Sequence, residues 1–380
     1  MSGPLAGVRV MEVASIGPGP FCAMVLADLG ADVTRVERTT DAAPGAGPPS
    51  DPLLRGRTAS IALDLKHPDG VAAALRLAEA SDVVVEGFRP GVLERLGLGP
   101  DALRERNPRL VIARVTGWGQ DGPRRTEAGH DIDYIALSGV LATVGEAGGP
   151  PVPPLNLIGD FGGGGLLAAL GIVSALVARQ ATGRGQVVDA AMVDGSALLS
   201  AMLHGMRGDG LWVDERGSNL LDGGAPFYTT YATADGGWMA VGALEPKFYA
   251  ALLDGLGIDP ASLPAQYDRS GWGEIGKRLA GAFASRSRAE WAERFAGTDA
   301  CVAPVLGPGE APSDPHLAGR HTFVEVGGVT QPAPAPRFDA TPAAAPRAGR
   351  APGADTDAVL AALGYTPGQI ASLRAAGAAA

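Results

Sequence analysis

Two side chains able to transfer protons stand beside glycine-rich segments of the sequence. The first, His130, follows the loop at residues 117–123 and directly precedes a predicted helix. The partial positive charge of a helix N-terminus disfavours imidazolium, so a histidine there stays neutral and can act as a base. Histidine is also a common structural hydrogen-bonding residue in this setting. The position alone therefore leaves both roles open.

The second, Asp160, begins a long apolar helix and is followed by four consecutive glycines at residues 162–165. As a plain N-cap, its carboxylate would only accept a hydrogen bond from the first helical turn. The glycines argue for more, because each disfavours a helix by about 1 kcal/mol relative to alanine. We expect such a run where something must approach the backbone closely. The helix N-terminus can also stabilise a developing oxyanion.

A third candidate, Glu245, ends a predicted strand and precedes Pro246 at a helix start. Acidic residues are frequent there because they complement the helix dipole. Taken alone, this position favours a structural role.

The turn at residues 17–20 is close to the dinucleotide-binding fingerprint. A strand, a Gly-x-Gly turn and a helix follow one another, and Glu37 ends the second strand, where a ribose-binding acid would stand. However, Cys22 occupies the third glycine position, and Pro18 and Pro20 remove N–H groups from the turn that should bind a pyrophosphate. The sequence therefore favours a tight strand-to-helix turn over nicotinamide binding.

The elements that must position these residues alternate between strands and helices along the first half of the chain. This alternation predicts parallel βαβ units, and hence an α/β fold with a doubly wound, Rossmann-like sheet. The predicted strands are residues 8–13, 32–37, 61–65, 83–85, 110–115 and 186–189. The predicted helices are residues 21–29, 69–80, 92–96, 101–106, 131–140, 161–179 and 190–206.

The pattern changes after residue 225, where a hairpin at residues 227–241 precedes three helices and a strand at residues 301–306. This favours a smaller α+β domain. The sequence therefore predicts a large domain at residues 1–205, a linker at 206–224, a small domain at 225–325, and a linker with two terminal helices at 326–380. Residues 39–52 form a Pro/Ala/Gly-rich insertion between two strands.

Composition limits the class of protein. Hydrophobic residues make up 46% of the chain and charged residues 19%, which is typical of a folded core rather than of disorder. The net charge of −10 argues against a general nucleic-acid binder but allows local basic pockets for an anionic ligand. Both cysteines, Cys22 and Cys301, lie among apolar residues and are expected to be buried thiols.

Localisation follows from the same inspection. Residues 1–7 lack the features of a signal peptide, and the most apolar segment, residues 166–178, is too short and glycine-rich to span a bilayer. We therefore expect a cytoplasmic protein without membrane or nucleic-acid partners.

Several segments together resemble the family III CoA-transferase superfamily, of the CaiB/BaiF type. The resemblance runs from about residue 3 to residue 340, and the terminal helix pair from residue 355 also fits. Within the superfamily, the chain is similar to members that invert the α-carbon of 2-methyl-branched acyl-CoA thioesters. The matching stretches are residues 1–10, 17–20, 129–134, 153–164, 185–195, 221–231, 241–249 and 299–305.

This resemblance implies a racemase or epimerase, an isomerase of fatty acid and lipid metabolism, that works by two-base 1,1-proton transfer through an enolate. His130 and Asp160 would be the acid/base pair, and Glu245 would hydrogen-bond His130 from a partner chain. Backbone N–H groups around Asp160 and Phe161 would bind the enolate oxygen. No metal or organic cofactor is implied, since CoA is part of the substrate.

The resemblance also implies the assembly and the substrate contacts. The family forms an interlocked homodimer whose sites lie between the large domain of one chain and the small domain of the other, with the C-terminal segment returning to the large domain. Methionines at 192, 202, 206 and 239 would offer an adaptable apolar surface for the acyl tail. The insertion at residues 39–52 departs from the family pattern. The positions that match substrate- or CoA-binding ones are Arg38, Leu63, Asp64, Leu65, Lys66, Gly87, Phe88, Arg89, Arg95, Gly129, Asp131, Ile132, Asp133 and Tyr134.

Two alternatives stay open at this point. In a CoA transferase of the same fold, Asp160 would attack a thioester and form a mixed anhydride. A non-catalytic acyl-CoA-binding protein would bind CoA without exchanging the α-proton. The identity of the acyl tail, whether 2-methylacyl or 2-arylpropanoyl, is not determined by the sequence.

Overall fold

The computed structural model describes residues 2–42 and 47–380, which form two compact units. The first unit contains residues up to 138, residues 155–199 and residues 316–380. The second contains residues 139–154 and 200–315. The insertion at 39–52 lies partly outside the described residues, and short 3₁₀ turns at Thr39–Asp41 and Pro52–Leu54 flank the gap.

A six-stranded sheet forms the centre of the first unit, and all of its neighbouring strands pair in parallel. Its order is β3-β2-β1-β4-β5-β6, so the predicted α/β fold with a parallel sheet is confirmed. Strands β4 and β5 are buried along their whole length, as expected for a sheet covered on both faces. The strands are β1 (Arg9–Val13), β2 (Asp32–Glu37), β3 (Ala59–Ala62), β4 (Val83–Glu86), β5 (Val111–Thr116) and β6 (Val187–Ala191).

Helices cover both faces of this sheet and complete two hydrophobic cores. One core includes residues of α2, α4, α13 and α14, and the other includes residues of α1 and α6. The helices of the first unit are α1 (Pro18–Asp28), α2 (Pro68–Glu79), α3 (Val92–Arg95), α4 (Pro100–Arg106), α5 (Asp131–Leu137), α6 (Leu167–Thr182), α7 (Met192–Leu199), α13 (Thr356–Ala362) and α14 (Pro367–Ala375). A further short helix, α12 (Pro315–Gly319), begins where the two units meet in the sequence.

A π-helical segment, Leu157–Leu166, runs directly into α6. The continuous helix Leu157–Thr182 has 26 residues, which is long and apolar enough to cross a membrane by length and composition. The predicted helix at residues 161–179 already contained the glycine run, and the helix in the structure is longer by four residues at its start and three at its end. Buried residues make up 44% of its most apolar window, and a core helix of a soluble protein meets the same criterion.

The glycines of this segment allow close contact with neighbouring helices. A Cβ on Gly195 of α7 would lie 1.9 Å from the carbonyl oxygen of Gly163, and a Cβ on Gly165 would lie 2.7 Å from Phe21 of α1. The sequence correctly predicted a close approach to this backbone. The approaching groups are α1 and α7.

The last described residues pair with the edge of the sheet at β3. Ala378 accepts the N–H of Asp64 at 3.0 Å, and Ala380 donates its N–H to Ala62 at 3.1 Å. Between these contacts, Leu63 and Ala379 form an isolated antiparallel bridge. The last three described residues therefore extend the edge of the sheet at β3.

An antiparallel hairpin of β10 (Phe323–Val326) and β11 (Val329–Pro332) also belongs to the first unit. The sequence analysis assigned the second half of this region to an extended linker. Arg55 donates a hydrogen bond to Gln331 of this hairpin at 2.9 Å. The same arginine forms a buried ion pair with Asp28 of α1. These contacts fix the hairpin against the N-terminal part of the chain.

The second unit has a three-stranded antiparallel sheet in the order β7-β8-β9, whose first two strands form the predicted hairpin. Its core contains Phe227, Tyr231, Met239 and Phe283. Cys22 is buried as expected, but Cys301, which directly precedes β9 and has a positive φ of 53°, is exposed. The elements are β7 (Tyr228–Ala232), β8 (Trp238–Gly242), β9 (Val302–Pro304), α8 (Ala201–Gly208), α9 (Pro246–Leu256), α10 (Trp272–Phe283) and α11 (Arg288–Phe295).

Candidate active site

A cavity of about 330 Å³ lies in the first unit, at the carboxyl ends of β1, β4 and β5. The strand order reverses between β1 and β4, and such switch points are where open parallel sheets bind ligands. His130 and Asp160 both line this cavity. The loops after the three strands contribute Ile16, Gly17, Gly87, Arg89, Gly117 and Trp118.

His130 is the residue before α5 and is exposed to solvent. Its backbone N–H donates to the Asp133 carboxylate at 2.9 Å, while its carbonyl accepts the N–H of Asp133. This reciprocal pairing caps the helix and fixes the backbone at His130, so the imidazole projects from a defined point.

Asp160 lies in the first half of the π-helical segment, a type of helix that occurs frequently at functional sites. Its Oδ2 accepts a hydrogen bond from the Asn156 side chain at 3.1 Å. A Cβ on Gly17 would lie 3.2 Å from the same oxygen, so the turn before α1 is close to this carboxylate. The loop after β1 and the π-helical segment therefore share one wall of the cavity.

Burial raises the pKa of Asp160 above its usual value, and the negative charge of Asp131 acts in the same direction. The hydrogen bond from Asn156 and the charge on His130 oppose this rise. Because the net shift is upward, Asp160 holds a proton at a higher pH than an exposed aspartate does. This is the property required of a carboxyl group that acts as an acid in one direction and as a base in the other.

Asp131 lies behind the cavity rather than in its lining. The side chain is buried, and Oδ2 accepts the backbone N–H of Asp160 at 2.7 Å. The Asp160 N–H is therefore not free to bind an enolate oxygen, contrary to the sequence expectation. Of the neighbouring predicted site residues, Ile132 is 43% exposed and Asp133 serves as the helix cap.

Tyr134 forms another side of the cavity. Its ring packs edge-on against Trp118, with ring centroids 4.8 Å apart. A Cβ on Gly117 would lie 2.1 Å from this ring and one on Gly129 2.7 Å, so both glycines are required by the tyrosine. Burial, followed by the nearby charge of Asp160, raises the pKa of Tyr134 to about 12, so the phenol stays protonated as a donor at neutral pH.

A second cavity of about 580 Å³ lies at the carboxyl ends of β1, β2 and β3. It brings together five of the positions predicted to bind CoA: Arg38, Leu63, Asp64, Leu65 and Lys66. Phe88 lines both cavities. Arg95, at the end of α3, is exposed and is not among the described residues that line either cavity.

A cluster of buried ion pairs connects β1 and β2. Glu12 accepts hydrogen bonds from Arg35 and Arg57, and Arg35 also pairs with Glu37 at 2.8 Å. Glu37 is paired with Arg35 in this cluster, and it also lines the second cavity. Alternating charged residues within two apolar strands were the available sequence signal for this cluster, and sequence analysis missed it.

Glu245 belongs to the second unit, where it is the exposed residue before α9. Among the methionines expected to bind the acyl tail, Met192 lines the first cavity and Met202 is 62% exposed. Met206 is partly exposed in α8. Met239 is fully buried in the core of the second unit, so it is not available as an acyl surface there.

Comparison with known proteins gives a consistent result. The profile described as CoA-transferase family III matches residues 5–357. The chain is 50% identical to the α-methylacyl-CoA racemase of Mus musculus and 49% identical to that of Homo sapiens, each time over 97% of this chain and 96% of the relative. A crystal structure of a CaiB/BaiF family protein from Brucella suis has a TM-score of 0.79 and 25% identity, covering 96% of this chain and 100% of that one.

Proposed function

Because the chain belongs to the CoA-transferase family III, we propose that it is an isomerase that inverts the α-carbon of 2-methyl-branched acyl-CoA thioesters. The two relatives named α-methylacyl-CoA racemase, with about 50% sequence identity, support this activity over acyl transfer. One structural observation carries the proposal: His130 and Asp160, which lie on different elements, line the same cavity. Inversion requires two proton carriers on opposite faces of the α-carbon.

In the proposed reaction, neutral His130 removes the α-proton from one face. The electron pair of the C–H bond forms the C=C bond of an enolate, and the carbonyl π electrons move to the thioester oxygen. The Asp160 carboxyl group then donates its proton to the opposite face. The other epimer reacts in reverse, with Asp160 as the base and imidazolium as the acid. No cofactor takes part in these steps.

The enolate oxygen requires hydrogen-bond donors. The first N–H groups of a helix have no partner within it, and at α5 these belong to Asp131 and Ile132. Since Asp131 occupies the Asp160 N–H, we infer that the start of α5 supplies the donors. This helix N-terminus also carries the partial positive charge that favours an oxyanion.

The second cavity fits the nucleotide part of CoA. Arg38 and Lys66 are exposed cations at its rim. Their positive charges would attract the negatively charged phosphates of CoA. Phe88 borders both cavities, so a ligand that extends from one to the other passes this side chain. We assign the pantetheine arm to this path and the thioester to the cavity of His130 and Asp160.

We also propose that the protein forms a homodimer. The helix that carries Asp160 exposes several apolar side chains, among them Leu157, Leu166 and Leu170. Helix α7 exposes two more, Leu198 and Leu199. Burying such a surface favours association. In an interlocked homodimer, Glu245 of one chain would hydrogen-bond His130 of the other and fix its tautomer.

The decisive experiment follows one epimer of 2-methyldecanoyl-CoA in heavy water, without an acceptor acid, by NMR. The proposed function predicts incorporation of deuterium at the α-carbon together with inversion. Binding without exchange would contradict it and would favour acyl transfer through Asp160. In that case, transfer of CoA to added carboxylic acids should be observed.

A further inference from the structure

The buried carboxylate of Asp131 connects the two elements that carry the proposed acid/base groups. We propose that the side chain of Asp131 is a positioning group that holds Asp160 at a fixed distance from His130, and that this carboxylate does not bind substrate. This inference rests on the proposed function, because it assigns a task within the same proton-transfer site.

A direct hydrogen bond joins Asp131 to Asp160. Asp131 directly follows His130 in the chain, and its Oδ2 accepts the backbone N–H of Asp160 at 2.7 Å. A hydrogen bond from an amide to a carboxylate is stronger than a neutral one. One side chain therefore ties the backbone at Asp160 to the residue next to His130.

The π-helical segment packs closely against the Asp131 carboxylate. A Cβ on Gly159 would lie 2.6 Å from Oδ2 of Asp131, so only glycine at residue 159 allows the π-helical segment to approach this carboxylate. Asp131 is only 6% exposed, and its Oδ1 is buried without a hydrogen-bond partner among the described residues. A buried, incompletely paired carboxylate is unfavourable for stability, which points to a functional reason for its presence.

The charge of Asp131 also affects the protonation of Asp160. Asp131, His130 and Tyr134 face Asp160 from α5, and Asn156 faces it from the same segment. Gly17, in the turn before α1, also approaches the Asp160 carboxylate and is uncharged. Besides burial, Asp131 is thus the neighbouring charge that raises the pKa of Asp160.

The test compares Asp131→Asn with Asp131→Ala. The Asn oxygen still accepts the Asp160 N–H but carries no charge, whereas Ala removes both. For Asp131→Asn we expect kcat/KM to stay within about tenfold of wild type at the optimum. For the epimer on which Asp160 acts as the base, the acidic limb should move to lower pH, because loss of the negative charge lowers the pKa of Asp160. For Asp131→Ala we expect kcat to fall about 100-fold with little change in KM, as for a misplaced catalytic group.

The matched control is Asp101→Asn, another aspartate in the first turn of a helix but one exposed to solvent. It should leave both kcat/KM and its pH dependence unchanged. A rise in KM at constant kcat in either Asp131 variant would overturn the proposal and indicate a substrate ligand. An unchanged acidic limb in Asp131→Asn would overturn it as well.

A second measurement separates this inference from the proposed function. The titration of the Asp160 carboxyl carbon, followed by NMR in wild type and Asp131→Asn without substrate, requires no enzymatic activity. A lower pKa of Asp160 in the variant supports the inference even if the wild-type protein exchanges no α-proton. Identical titration curves would refute the electrostatic part. If Asp131→Ala fails to fold, the Asn variant and this titration still decide the question.

Discussion

The Glu86 carboxylate accepts the backbone N–H of Phe88 at 2.7 Å. Its other oxygen pairs with Arg114 at 2.8 Å, and Arg114 also pairs with Glu94 of α3. Both members of the Glu86–Arg114 pair are buried. The segment that borders both cavities is therefore fixed by an ion pair that the sequence analysis did not identify.

Replacing Arg114 with Met should destabilise the protein by about 3–5 kcal/mol, because Glu86 is left as a buried, unpaired charge. The KM for acyl-CoA should also rise, since Phe88 loses its fixed position. Urea unfolding and steady-state kinetics would measure the two effects. The control is Arg106→Met, at an exposed position in the last turn of α4, which should change neither. Equal stability of the two variants would contradict the structural role of Arg114.

Substituting His130 or Asp160 with Asn should reduce inversion by at least about 100-fold in both directions, because each direction needs both groups. Exchange of the α-proton with heavy water should behave differently. Each variant retains one base, so it should exchange only the epimer that presents its proton to that base. Opposite epimer preferences in the two variants are expected by NMR. The same preference in both would contradict the two-base scheme.

Mixing two inactive chains would test whether Glu245 acts across a dimer. A heterodimer of His130→Ala and Glu245→Gln chains contains one site with both residues intact if the site is shared between chains. Coexpression should then restore up to about half of the wild-type activity per heterodimer, as expected for one intact site out of two. Each variant assembled with itself serves as the control. No restoration would place Glu245 and His130 of one chain in the same site.

The crossing of α7 and the π-helical segment predicts the effect of a single methyl group. Because a Cβ on Gly195 would lie 1.9 Å from a backbone oxygen, Gly195→Ala should destabilise the protein by about 3 kcal/mol or more. Gly205, in α8, is the control, since outside its own helix turn no atom of the described residues lies within 4 Å of its added Cβ. Gly205→Ala should instead stabilise by about 0.5–1 kcal/mol. Thermal unfolding of both variants measures the difference.

Asp355 gives a prediction of pH dependence. It accepts hydrogen bonds from Arg350 and from the backbone of Ser60, and these partners hold its pKa below the usual value. A depressed pKa stabilises the folded state above the unfolded-state value, and this stability is lost as the pH falls through the folded-state value. Asp355→Asn should therefore destabilise by about 1 kcal/mol at neutral pH and by nothing in strong acid. A difference that persists in acid, measured by urea unfolding, would contradict this assignment.

The parallel sheet was predictable because its strands are short apolar runs separated by amphipathic helices. The hairpin β10–β11 was missed, although Gly327 and Gly328 between valines are a recognisable turn signal. Cys301 was predicted to be buried because its neighbours are apolar. The structure shows it exposed, with a positive φ that local composition does not predict.

The site was predictable to a similar degree. The glycine-rich flanks singled out His130 and Asp160 separately, and only the family resemblance paired them; the structure places both in the lining of one cavity. The contact of Asp131 with the Asp160 backbone joins residues 29 positions apart. No spacing rule predicts such a pair, because it depends on how α5 meets the π-helical segment.

The pairing of Asp64 with Ala378 has a consequence for synthesis of the protein in the cell. Asp64 lines the cavity assigned to the nucleotide, and the residues that complete this edge of the sheet are among the last described ones to leave the ribosome. During translation, β3 therefore waits with an unpaired edge while some 300 further residues emerge. Until then, this strand edge is open to pairing with a chaperone or with another copy of the chain.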